Sequence, residues 1–82
     1  MGAAIKTTDL YLTAFLMTQD IAPAQVVAEG QNRRKVTFVF ASNEKTADLA
    51  KAFASGEATA KVSVFARQLE FVRDVMFSKL RE

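Results

Sequence analysis

The stretch Asp9–Gln19, Asp-Leu-Tyr-Leu-Thr-Ala-Phe-Leu-Met-Thr-Gln, decides the fold because as a helix it is apolar on nearly every side. Its apolar side chains fall on three faces: Leu10, Ala14 and Met17 on one, Tyr11 and Phe15 on a second, and Leu12 and Leu16 on a third. A helix without a polar face must be enclosed by its own chain or by another copy. The stretch therefore predicts a tightly wrapped domain or a homo-oligomer, with a dimer favoured.

The length of the chain restricts how much this helix can be covered. The sequence has 82 residues, which is enough for one domain with one core, and such a core supplies roughly 3 to 5 kcal/mol of stability. Without cysteine, no disulfide or thiolate-bound metal can reinforce it. Hydrophobic residues make up 50% of the chain and charged residues 24%, as in folded globular domains. We expect a single domain over 1–82 that is stabilised by association with other copies.

Strand signals occur on both sides of the first helix. Residues Ile5–Thr7 suit a short strand, and Thr8 is the expected helix cap. After Pro23, residues 25–29 and 33–41 predict a β-hairpin, because Gly30 lies between them and tolerates the positive φ of a tight turn. Phe38 and Phe40 alternate with smaller residues and are expected in the core.

Two further helices follow the hairpin. The first is expected over 44–54, capped by Ser42 or Asn43 and ended by Gly56, and the second over 63–80, capped by Ser63. The second carries an apolar seam made of Phe65, Leu69, Val72, Met76 and Leu80. The predicted fold class is α+β in the order (β)αββαα: an antiparallel hairpin, which the N-terminal strand can extend to three strands, packed against three helices.

The residue types present argue against catalysis. The chain has no His and no Cys, which excludes His-based triads, thiolate nucleophiles and the usual zinc sites. Glu70 and Asp74 are one helical turn apart, but Arg67 and Arg73 flank them, as on a solvated charged face. The three glycines fit no phosphate-binding or calcium loop. We predict no enzyme, no cofactor, no metal site and no small-molecule substrate.

Two interaction sites remain as predictions. The favoured function is a non-enzymatic module that self-associates through apolar helix surface, and the candidate residues are Tyr11, Phe15, Phe71, Val75 and Phe77. The alternative is a nucleic-acid-binding accessory protein that uses the basic hairpin cluster Arg33, Arg34 and Lys35. The net charge of +2 permits this partner without requiring it. No run is long enough to cross a membrane and the N-terminus lacks a signal-peptide pattern, so a cytoplasmic location is expected.

The order of these motifs resembles a short domain family of bacteria and phages that has no assigned function. The resemblance rests on the run from Thr7 to Leu16, on Phe38-Val39-Phe40, and on Phe53-Ala54-Ser55-Gly56, and it covers roughly Thr7 to Phe77. It implies a compact bacterial or phage-encoded module and brings no catalytic or binding residues. This chain departs from the pattern at Gln19-Asp20-Ile21, where a glycine is expected.

Overall fold

The computed structural model describes residues 4–30 and 34–81, which form a three-stranded sheet and three helices. This architecture confirms the predicted α+β fold and its element order. The elements, in chain order, are β1 (Ala4–Thr7), α1 (Leu10–Thr18), β2 (Gln25–Glu29), β3 (Lys35–Ala41), α2 (Glu44–Ser55) and α3 (Val62–Leu80).

The sheet has β3 at its centre and is antiparallel throughout. β1 pairs with one side of β3, with Ile5 opposite Phe40, and β2 pairs with the other side, with Val26 opposite Phe38. Directly paired residues lie on the same face of a sheet, so these four side chains share one face. Phe38 and Phe40 are buried there, as predicted, and Ile5 and Val26 pack around them.

α1 is enclosed by its own chain. Four successive residues, Thr13, Ala14, Phe15 and Leu16, are all buried. Because successive helical residues point about 100° apart, burial of four in a row means that the helix is covered on every side at this turn. One turn earlier, Tyr11 is 52% exposed. α3 and α2 pack against α1, and Phe38 and Phe40 belong to the same buried cluster. A single copy therefore provides the surroundings that this helix requires.

The helix caps correct two sequence predictions. Asp9, rather than Thr8, caps α1: its carboxylate accepts hydrogen bonds from the backbone N–H groups of Tyr11 and Leu12. Ser63 does not cap α3, since the helix already starts at Val62 and its cap residue, Lys61, makes no side-chain cap bond.

The caps of α2 agree with the predictions. Asn43 accepts a hydrogen bond from the N–H of Thr46, and Gly56 ends the helix in the left-handed conformation with φ 81°. Helical spacing predicts an apolar stripe on α2 made of Ala47, Ala50, Phe53 and Ala54, with Leu49 beside it. Leu49 and Phe53 do pack toward the core, but Ala47 and Ala54 are exposed and the polar Thr46 is buried instead.

The chain leaves α1 through a left-handed residue. Asp20 has φ 63°, and the following N–H of Ile21 donates to the carbonyl oxygen of Leu16 at 3.1 Å. This geometry closes the helix end in the way that a glycine usually does. Asp20 thus occupies the position where the family resemblance led us to expect glycine, and aspartate is one of the residues that tolerate this conformation.

Candidate interaction surfaces

The five residues predicted for self-association do not form one surface. Phe15 is only 4% exposed because the core of a single copy already buries it, so it is not available to a partner in this structure. Val75 is half-buried and packs against the core. Tyr11, Phe71 and Phe77 are 52%, 53% and 49% exposed. These three aromatic side chains present most of the accessible surface of the predicted set.

Phe71 and Phe77 lie on different flanks of α3. The two residues are six positions apart, which places their side chains roughly 120° apart around the helix axis. Phe71 is one turn before Val75 on the same flank, and Val75 lines a surface depression together with Val26 of β2. We call Phe71 and Val75 the α3 flank. Its Val75 lies next to Val26 of the edge strand β2.

The helix surface between the two phenylalanines carries charges of both signs. Helical geometry places Arg67, Glu70 and Asp74 in this arc, with Arg73 beside Phe77. All four side chains are exposed. This outward face therefore mixes charges of both signs. The cationic Arg81 follows at the end of α3, and Lys79 lines the depression beside Val75.

The structure describes two of the three residues in the basic hairpin cluster. Arg33 lies outside the described residues, while Arg34 and Lys35 are exposed at the start of β3. Lys35 lies directly opposite Glu29, and Glu29 accepts a hydrogen bond of 2.7 Å from the hydroxyl of Thr37. An adjacent carboxylate reduces the attraction of this site for phosphate, so the geometry adds nothing to the nucleic-acid prediction, which stays untested.

Glu70 and Asp74 are both exposed on α3. Over residues 4–30 and 34–81, no three His, Cys, Asp or Glu side chains come together as metal ligands would. Within the same ranges, none of the helices has the length and apolar character needed to cross a membrane.

The structure also contains an apolar pocket that the sequence reading did not find. It lies where the C-terminus of α2, the segment 56–61 and the start of α3 meet above α1, and its volume is about 330 Å³. Three rings line it, those of Phe15, Phe53 and Phe65. The sequence predicts Phe53 and Phe65 on the apolar sides of their helices and Phe15 in a self-association surface. Nothing in the pattern of a single helix shows that these three rings surround one space.

Comparison with protein families places the chain in a known family. The family model described as Domain of unknown function (DUF5659) matches residues 2–78. The chain belongs to this family. The expected resemblance to a family without assigned function is thereby confirmed, and membership in DUF5659 assigns no role to any residue. Comparisons with curated proteins and with solved structures gave no match.

Proposed function

We propose that this DUF5659 domain is a non-enzymatic interaction module that self-associates through the α3 flank and the neighbouring edge of β2. The observation that carries the proposal is Phe71, a large aromatic side chain that is 53% exposed next to the half-buried Val75. A small domain has little stability to spare, and burying such a ring in an interface removes apolar surface from water.

The edge of the sheet provides a second contact beside this flank. Among the described strands, β2 pairs with β3 on one side and has no strand on the other. An edge of this kind offers backbone N–H and C=O groups to a further strand. If two β2 strands pair antiparallel about a two-fold axis, the α3 helices of both copies lie on the same face of the joined sheet. The two α3 flanks then face each other across that axis.

A second copy is the occupant that fits the charges best. The outward face of α3 carries two cations, Arg67 and Arg73, and two anions, Glu70 and Asp74. In a two-fold interface the same patch meets itself, so it must be complementary to itself. Charges of both signs allow pairs of opposite sign to form across the axis, whereas a partner of strong net charge would meet like charges as well as opposite ones.

The test compares two lysine substitutions on α3. In Phe71→Lys a charge enters the proposed interface, and in the control Phe77→Lys the same change is made at a nearly equally exposed ring on the other flank. We expect the wild-type mass, measured by sedimentation equilibrium from about 1 µM to 1 mM, to rise toward that of a dimer. Phe77→Lys should behave like the wild type and Phe71→Lys should stay monomeric. A wild type that stays monomeric over the whole range, or equal behaviour of the two variants, would contradict the proposal.

A further inference from the structure

The walls of the apolar pocket are formed by side chains that the fold already holds in place. The ring of Phe15 stacks against that of Phe53 with a centroid distance of 5.8 Å, and the ring of Phe65 stacks against Tyr11 at 6.4 Å. Phe15 is itself part of the buried core. Because these contacts fix the rings, the space between them exists without a ligand, and binding would require little rearrangement.

The space stays open because the segment across from the rings has small side chains. The rest of the lining consists of Gly56, Ala58, Thr59, Ala60 and Val62. Four of these have small side chains, and the larger Val62 is 82% exposed. At Gly56 an added Cβ would meet no atom within 4 Å. Because Gly56, Thr59, Ala60 and Val62 are exposed, the space of about 330 Å³ beside the three rings is a pocket that opens to solvent.

The chemistry of the lining restricts what can bind. None of the described residues that line the pocket is charged, and the one polar side chain among them is Thr59. A charged ligand would lose part of its hydration against the apolar walls without gaining a counter-charge, so a neutral ligand is favoured. An apolar protein cavity of about 150 Å³ accepts one benzene ring, and the pocket measures about 330 Å³. We propose that the pocket binds a neutral aromatic compound of about two fused rings.

The experiment uses indole as the probe, because it is neutral, has two fused rings and dissolves in water. Binding is followed by the amide shifts of the ¹⁵N-labelled full chain, in which segment 56–62 surrounds the pocket. Ala60→Phe fills the space from an exposed position, and Ala47→Phe makes the same change at an exposed alanine that does not line it. Indole-3-carboxylate serves as the charged comparison.

We expect saturable 1:1 shifts centred on segment 56–62, at least tenfold weaker binding to Ala60→Phe, and binding to Ala47→Phe within twofold of the wild type. The carboxylate should bind at least tenfold more weakly than indole. Unsaturable or scattered shifts, or equal binding by Ala60→Phe, would overturn the proposal. So would shifts of the same amides with protein concentration alone, since a second copy would then occupy the pocket. Phe71→Lys should bind indole as tightly as the wild type does. A failure of the self-association proposal can therefore be distinguished from a failure of the pocket proposal.

Discussion

Replacing Thr46 by valine should stabilise the protein. Thr46 is 1% exposed, and its hydroxyl has no hydrogen-bond partner among the described residues. A buried hydroxyl without a partner costs about 1 to 3 kcal/mol, whereas a methyl group of similar shape has no such cost. The cap bond from the Thr46 N–H to Asn43 does not involve the side chain and is retained. We expect the free energy of unfolding to increase by about 1 to 2 kcal/mol.

Thr13 provides a matched control, because it is equally buried in a helix but has a satisfied hydroxyl. Its Oγ1 donates to the carbonyl oxygen of Asp9 at 2.9 Å. The change Thr13→Val removes that bond, so we expect a loss of about 1 kcal/mol. The same substitution should thus have opposite signs at the two positions.

Urea unfolding followed by far-ultraviolet circular dichroism measures both variants, at one low protein concentration so that association does not contribute. Thr46→Val should also raise Tm by at least about 4 °C, as expected for a domain of this size. If Thr46→Val lowers stability as much as Thr13→Val does, the Thr46 hydroxyl forms a hydrogen bond in the folded protein. That result would refute the reasoning.

Four further variants test the caps, turns and core by the same urea measurement. Asp9→Ala removes the carboxylate that caps α1 and should cost about 1 kcal/mol. Gly56→Ala places a side chain at φ 81° and should cost about 1 kcal/mol, although the space around it is open. Asp20→Gly relieves φ 63° and should stabilise by about 0.5 to 1 kcal/mol, and a loss would show that Asp20 has a role beyond its backbone conformation. Phe40→Ala empties a fully buried site and should cost about 3 to 5 kcal/mol, enough to abolish the folded dispersion of the NMR spectrum.

Local signals in the sequence were sufficient to predict the helices and strands. Alternation places Phe38 and Phe40 on one face of a strand, and Gly56 ends α2, because side-chain period and backbone conformation are properties of a few neighbouring residues. The cap of α1 lies one residue later than predicted, because Thr8 and Asp9 are both suitable acceptors and their sequence pattern does not distinguish them.

The surfaces could not be read from the sequence in the same way. Which side of α2 is buried depends on where α1 lies, and the polar Thr46 is buried while Ala47 is exposed. Phe15 and Phe71 are equally apolar, yet only Phe71 reaches solvent. Periodicity gives the faces of each helix but not the neighbours of each face, so both the pocket and the exposed aromatic rings become visible only when all elements are assembled.

The contrast between α1 and α3 shows that position in the fold, rather than apolar content, decides which helix exposes large apolar side chains. α1 is the more apolar helix, but four successive buried residues leave it no free side apart from Tyr11. α3 has a charged face and a single fully buried residue, Val72, and it still exposes Phe71 and Phe77 because core contacts occupy only one of its sides. Association should therefore respond to changes on α3 and not to changes inside α1. Thr46→Val should accordingly stabilise each copy without changing the measured mass, whereas Phe71→Lys should change the mass without unfolding the copy.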